Sequence, residues 1–280
     1  MDQKSFREKI MLNSDIINQK YHKLDNYVDK FRSAKPFPFI VLDDFLKEDY
    51  FNELQNFISL YNDKDKGKDF NTAVENSKWI SKNSHLPEKI RLVINSLNSI
   101  DWINNLEKFS GIKEIFSTEV GNTELANFHE MNSNGFLGSH VDHSSDPKTG
   151  RPHVLNIILY LSQNWKKEWG GSTLFFDSKG KKIIQEVNYV PNRAVIFLHT
   201  PYSFHGVSKI NLNDFKRSSI YVDYYSKLKN PYDHFDLNFS KKWFKHETCF
   251  VLPRFIDYLK PNNIYYTKTI IKYNLKKFFI

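Results

Sequence analysis

The sequence predicts an α+β protein in which helices come first and a β-sandwich or jelly roll follows. Three observations carry that reading. Ahead of about residue 115, apolar residues recur at helical spacing. Behind it, short apolar runs rich in β-branched and aromatic residues succeed one another. Clusters of Gly, Pro, Asn and Lys separate those runs. Helices segregated from strands along a chain brace one face of a sheet.

Residues 1–35 read as helical, on the mixed apolar spacing of SDIINQKYHKLDNYVDKF. The period then changes, and Phe39, Ile40, Val41 and Leu42 form a short strand opening after two prolines. Asp43 and Asp44 supply a cap for a helix in which Phe45, Leu46, Phe51, Leu54 and Phe57 recur. Residues 60–85 are polar and read as loop. Leu86 to Phe109 is helical again, with a break near Ser99. From Ile115 onward the strands are HVLNIILYLS, GGSTLFFD, KIIQEVNYVP, NRAVIFLHT and RSSIYVDYYS. From Pro231 the chain turns helical and basic. There is no internal repeat and no low-complexity tract.

A chain of 280 residues fits one large domain, or one domain with an extension, and buries a sizeable core without staples. Cys249 is the only cysteine, which excludes a disulfide framework and a cysteine zinc site and favours a reducing, cytoplasmic setting. The opening MDQKSFREKIMLNSD has no apolar core of a signal peptide, and no run is long enough to predict a membrane-spanning helix. The net charge is +8. Residues 241–280 hold nine Lys or Arg against two Asp or Glu, so most of the excess sits there. Such a segment can meet nucleic acid, an anionic membrane or an acidic substrate, but a solvated lysine-rich surface is the plainer reading, and no nucleic-acid partner is expected. An aromatic content of 16% suits a β-rich core with a lined pocket.

The stretch NGFLGSHVDHSSDP sets His140 and Asp142 two residues apart. On a strand, such residues face the same side. Two imidazoles and one carboxylate form the facial triad that binds iron(II) and leaves coordination positions open. The third ligand must come from a strand distant in sequence. His205, in TPYSFHGVSKI directly after AVIFLHT, is the candidate. Arg217 heads the strand RSSIYVDYYS, where a guanidinium can make a bidentate pair with a carboxylate.

The order His-x-Asp, then His, then Arg resembles the iron(II)/2-oxoglutarate-dependent dioxygenases, and within them the prolyl-4-hydroxylase-like branch. The stretches that carry the likeness are PFPFIVLDDFL, GFLGSHVDH, LNIILYLSQNWKKEWGGSTLFF, NRAVIFLHTPYSFHGVSKI and RSSIYVDYYS, spanning about residues 36–226. The resemblance implies a double-stranded β-helix, jelly-roll or cupin-like, over 36–226, with a lead-in over 1–35 and a basic extension over 227–280. It implies that His140, Asp142 and His205 hold iron at the catalytic centre, and that Arg217 pairs with the distal carboxylate of 2-oxoglutarate. Tyr160 matches a tyrosine that donates its hydroxyl to the same carboxylate. Asn156 and Ile158 share the strand face of Tyr160 and would line the cosubstrate pocket, and Ser219, on the face of Arg217, would help hold the carboxylate with its hydroxyl. Gly170 and Gly171 match a tight hairpin between barrel strands. His153 and Asp223 lie where this branch contacts substrate. His199 stands one position too early to replace His205. His143 and His129 read as loop groups or substrate contacts.

The cofactors implied are Fe(II), 2-oxoglutarate and O2, with ascorbate as reductant. Relatives that halogenate lack the carboxylate at the position of Asp142, so its presence implies hydroxylation, desaturation or ring closure. One departure stands out. The branch usually has a tyrosine in the strand before His-x-Asp, and here NFHEMNSNGFLGS places Met131 or Asn132 near it. The expected substrate is a small molecule, such as an amino acid, a sugar or a natural-product precursor, enclosed by the extension after Pro231. The competing readings are a peptidyl-prolyl hydroxylase, a nucleic-acid demethylase and a non-catalytic binding module.

Overall fold

The computed structural model describes residues 16–60, 67–118, 125–212, 215–232 and 243–278. Helix α1 (Val28–Ser33) precedes strand β1 (Phe39–Leu42), and helix α2 (Glu48–Leu60) follows it. A hairpin of β2 (Gly67–Phe70) and β3 (Glu75–Lys82) leads to helices α3 (Glu88–Leu97) and α4 (Ile100–Ser110). Then come β4 (Ile115–Ser117), β5 (Leu125–Val141), β6 (His153–Tyr160), β7 (Thr173–Phe176), β8 (Ile183–Val187), β9 (Ala194–Leu198), β10 (His205–Val207) and β11 (Arg217–Ser226). Strand β12 (Cys249–Phe250) and helix α5 (Ile264–Phe278) complete the order.

The strands pair antiparallel in the order β1-β9-β6-β11-β5-β10-β7-β8, a nearly closed jelly roll. The long strand β5 belongs to both halves. Its first part pairs with β11, Met131 lying opposite Arg217. Its last part pairs with β10, His140 lying opposite His205. Between them the strand turns at Asn134, whose φ is 60°, and at Gly135. A Cβ on Gly135 would lie 2.7 Å from the Asn132 carbonyl oxygen, so only glycine fits the turn.

Strand β6 is buried along its whole length because both of its faces are covered. Leu155, Ile157 and Leu159 join the helix-facing core with Ile90, Val93, Leu97 and Trp102. Ile158 and Tyr160 point the other way, into a barrel core with Phe175, Phe197 and Val207. The period of two along the strand therefore divides one apolar run between two cores. Each large side chain so buried contributes about 1.5–3 kcal/mol. Trp102 Nε1 donates to Tyr224 Oη at 3.0 Å, and Tyr224 Oη donates to the Leu97 carbonyl at 2.8 Å, which ties the helix layer to β11.

The break expected near Ser99 is a helix cap. The Ser99 hydroxyl accepts from the Trp102 amide, and α4 ends on Gly111 with φ 80°. Three local expectations are corrected. Residues 60–85 are not all loop, since β3 pairs with β2 and β5. A bulge at Ser77, where φ is 49°, breaks the alternation that betrays a strand. From residue 16 the N-terminal stretch is not one helix but two 3-10 turns, Gln19–Tyr21 and Asp25–Tyr27, followed by α1, with Ile16, Tyr21, Leu24 and Phe31 buried in turn. Residues 1–15 lie outside the described residues. Gly170 and Gly171 do not form a hairpin between paired strands, because β6 pairs with β9 and β11, and β7 with β8 and β10.

The C-terminal segment is part of the barrel wall. Cys249 pairs with Val141 and Phe250 with His140, so β12 adds to β5 at its functional end. Tyr273 of α5 packs with Phe204, Phe244 and Cys249. Among the described residues, no helix is long and apolar enough to cross a membrane.

Candidate active site

The cross-strand pairing of His140 with His205 brings the two imidazoles to a centroid distance of 4.3 Å. Asp142 follows His140 just past the end of β5. His140 Nε2 lies 3.3 Å from Asp142 Oδ1, and His205 Nε2 lies 3.3 Å from Asp142 Oδ2. Ligand atoms bound at about 2.1 Å and at right angles to one ion stand about 3 Å apart, so this cluster has the dimensions of a facial triad.

The surroundings fix which nitrogens face the cluster. His140 Nδ1 is 2.9 Å from the Gly138 carbonyl, and His205 Nδ1 is 3.0 Å from the Ser203 carbonyl. A carbonyl only accepts, so each Nδ1 carries the proton and each Nε2 offers a lone pair. Burial pushes the His205 pKa down to about 4, which keeps the ring neutral. Burial works against ionisation of Asp142, but the imidazoles of His205 and His140 outweigh it and hold the carboxyl well below the usual carboxylate range. Tyr221 Oη donates to Asp142 Oδ2 at 2.7 Å, and Asn156 Nδ2 donates to the same oxygen at 3.3 Å.

Next to the triad is a cavity of about 100 Å³ whose walls include Met131, Leu137, Ile158 and Val207, with Ser219, Lys78 and Arg217 as polar groups. Arg217 is 3% exposed. Its Nε donates to the Gly171 carbonyl at 2.7 Å and its Nη1 to Ser219 Oγ at 3.3 Å, while Nη2 has no partner. Among the described residues no carboxylate pairs with it. The rings of Tyr160 and Tyr189 lie 5.3 and 5.0 Å from the guanidinium carbon, one contribution that favours the charge. Burial nonetheless pulls the Arg217 pKa below its ordinary value. A buried cation with a free N–H and no counter-ion is a receptor for an anion. Of the two glycines, Gly171 serves this group: a Cβ on it, where φ is 74°, would meet Arg217 Cδ at 3.1 Å.

The structure thus gathers His140, Asp142, His205, Arg217 and Ser219 around one cavity. It sets Tyr160 and Asn156 one layer behind. The Tyr160 hydroxyl donates to Thr173 Oγ1 at 2.6 Å, and Asn156 bonds Asp142, Tyr221 and Asp223. His153 and Asp223 do not line the cavity; they sit together beyond Asn156, with His143. His199 stacks on His153 at 4.0 Å, and its Nε2 faces the Asp142 backbone carbonyl at 3.3 Å. Tyr221, His129 and Lys78 also line the cavity. Tyr221 shares the parity of Arg217 and Ser219 on β11, a signal present in the sequence. Lys78 enters through the Ser77 bulge, which no spacing reveals.

Residues 126–224 match the family model of the 2OG-Fe(II) oxygenase superfamily. This region belongs to that superfamily. The chain also shares its fold with solved structures. A Pseudomonas putida prolyl-4-hydroxylase aligns at 16% identity and TM-score 0.53, over 73% of this chain and 100% of that one. A Trichoplax adhaerens prolyl hydroxylase, in complex with a hypoxia inducible factor oxygen degradation domain peptide fragment, aligns at 16% identity and TM-score 0.53, over 75% and 92%. A Burkholderia pseudomallei oxidoreductase of the 2OG-Fe(II) oxygenase family aligns at 13% identity and TM-score 0.51, over 72% and 89%. No curated protein matches the chain. The match over residues 126–224 is thus to a dioxygenase superfamily, and solved structures of similar fold include prolyl hydroxylases. The residues present fit the cofactors of that class, because neutral Nε2 lone pairs beside an ionised carboxylate suit Fe(II), and the unpartnered Arg217 Nη2 suits a carboxylate of 2-oxoglutarate.

Proposed function

We propose that the oxygenase hydroxylates an unactivated C–H bond of a small molecule, such as an amino acid, a sugar or a natural-product precursor. His140, Asp142 and His205 would hold Fe(II), and Arg217 with Ser219 would hold the distal carboxylate of 2-oxoglutarate. When bound, the metal supplies the oxygen chemistry that converts 2-oxoglutarate, O2 and substrate C–H into succinate, CO2 and alcohol. The chain's own work is to orient and to exclude water. The Gly138 and Ser203 carbonyls fix the tautomers of the two imidazoles. Tyr221 and Asn156 set the plane of the Asp142 carboxylate. Met131, Leu137, Ile158 and Val207 keep the space between triad and guanidinium apolar.

The observation that carries the small-molecule reading is the C-terminal segment. Strand β12 lies alongside β5 at His140, and the Phe250 ring stacks on the His140 ring at 4.9 Å and 23°. A segment so placed walls in the triad and favours a compact substrate over an extended chain. The single cysteine supports a reducing, cytoplasmic setting. A peptidyl-prolyl substrate is the competing reading, in keeping with the names of the neighbours. Here Met131 lies near where that branch usually carries a tyrosine.

The test is 2-oxoglutarate turnover with Fe(II) and ascorbate, read as succinate, across free amino acids, sugars and proline-containing peptides. Stimulation by a small molecule, abolished in His140→Ala, is expected. Stimulation by peptides alone would reverse the substrate assignment. Succinate from the His140→Ala protein would overturn the site itself.

A further inference from the structure

Beyond the triad, a second set of donors has the same composition. His143, His153 and Asp223 bring three ligand atoms within 4.8 Å of one another. We propose that these three residues form a second metal site, for a divalent transition-metal ion of the zinc class, separate from the proposed iron centre.

The geometry repeats that of the triad. His153 Nδ1 is 3.0 Å from the His143 carbonyl, so the proton sits on Nδ1 and Nε2 presents a lone pair. That Nε2 is buried, makes no hydrogen bond, and faces Asp223 Oδ1 at 3.3 Å. The separation is the same as those of His140 and His205 from Asp142. A lone pair held against a carboxylate oxygen in a buried place calls for a second proton or for a cation between them. His143 supplies what a cation needs beyond these two donors. Its Nε2 stands 3.8 Å from Asp223 Oδ2 and 3.1 Å from Tyr225 Oη. Tyr225 Oη in turn donates to Asp223 Oδ2 at 3.3 Å, so the phenol stands where a further ligand or a bound water would be held.

The donor set of two imidazoles and one carboxylate suits zinc and its neighbours, and excludes calcium and magnesium, which take oxygen ligands. Access exists, because the His143 side chain is 35% exposed while His153 is fully buried. Asp223 is oriented from behind. Asn156 Nδ2 donates to its Oδ1 at 3.0 Å and to Asp142 Oδ2 at 3.3 Å. One amide therefore steadies a carboxylate in each site, and the two sites adjoin through Asn156 and through His199, which stacks on His153 and faces the Asp142 carbonyl. His199, stacked on His153, and Tyr225 complete the wall.

The experiment is metal retention by the full-length protein, stripped with chelator, loaded with Zn²⁺, desalted and analysed by mass spectrometry. The wild type should retain about two equivalents, and Asp223→Asn, His143→Gln and His140→Ala about one each. His143→Gln changes a partly exposed side chain and guards against loss of folding. In addition, Zn²⁺ should raise the Tm of His140→Ala but not that of the His140→Ala/Asp223→Asn double variant. One equivalent in the wild type, lost on His140→Ala, would overturn the second site and leave the triad standing; it is the result expected if His153 and Asp223 form only an ion pair. Two equivalents indifferent to Asp223→Asn and His143→Gln would also overturn it. No retention in any protein would sink both sites.

Discussion

Arg217→Met isolates the group that the proposed function assigns to 2-oxoglutarate binding. Methionine keeps an unbranched apolar side chain in the space under Tyr160 and Tyr189 and removes only the charge and its N–H groups. In the wild type without ligand, the guanidinium satisfies two of its donors, to the Gly171 carbonyl and Ser219 Oγ, and leaves Nη2 unpaired. Removing one partner of a buried, hydrogen-bonded charge pair costs about 2–5 kcal/mol, which is about 30-fold to a few thousand-fold in Kd. Calorimetric titration of the Mn²⁺-loaded, anaerobic protein with 2-oxoglutarate reads this directly. The same variant carries a second, opposed expectation. Its unliganded stability in urea should match the wild type within about 1 kcal/mol, since the lost bond to Gly171 offsets the relief of an uncompensated buried charge. Affinity within threefold of wild type would show that the carboxylate binds elsewhere. A loss of more than about 3 kcal/mol of unliganded stability would show that Arg217 is a structural ion after all.

Other perturbations probe the supports of the site. Tyr221→Phe removes the hydroxyl on Asp142 Oδ2 and should weaken metal affinity by about 10- to 100-fold while leaving the far-ultraviolet circular dichroism unchanged. Gly171→Ala adds a Cβ at φ 74° against Trp165 and Arg217, and should raise the KM for 2-oxoglutarate with little change in metal retention. The pH dependence of unfolding has a defined sign. Burial depresses His129 to about 3 and His246 to about 4, so between the ordinary histidine value and those values the unfolded chain binds more protons than the folded one. Stability of the metal-free protein is therefore full above about pH 6.5 and falls as pH drops toward 4, and His129→Phe should flatten the slope; an unchanged slope in that variant would refute the assignment.

The parts of this architecture that were legible in sequence are those where period and chemistry coincide. Leu155, Ile157 and Leu159 alternate with Ile158 and Tyr160, and the two sets face two cores. His140 and Asp142 were readable as neighbours on one face, and His205 as their partner from across the barrel. Depth was not readable. Parity on β6 put Tyr160 and Asn156 on the interior face, but not how far in, and the Tyr160 hydroxyl is taken by Thr173 of β7, a partner set by closure of the barrel. The β2–β3 hairpin was hidden by its polar composition and by the Ser77 bulge. The glycine pair announced a tight backbone, but that Gly171 sets its carbonyl against Arg217 is shown only by the fold.

One strand sets the chemistry of the whole cavity. Because β5 turns at Asn134 and Gly135, its first part lies beside Arg217 and its last part beside His205. The cavity therefore has two charged ends, a carboxylate–imidazole cage and a guanidinium, with Met131, Leu137, Ile158 and Val207 between them. A matching ligand carries metal-binding oxygens at one end, an anion at the other and a short apolar stem in the middle. A keto acid without the second carboxylate would leave Arg217 Nη2 as it stands here, buried and unpaired, and would forgo the strongest single attraction the cavity offers. On the proposed function, a preference for a dicarboxylate would thus be built by strand register. Once the turn at Gly135 fixes which residues of β5 face β10 and which face β11, the span between the His140–Asp142–His205 cluster and the guanidinium is fixed with it.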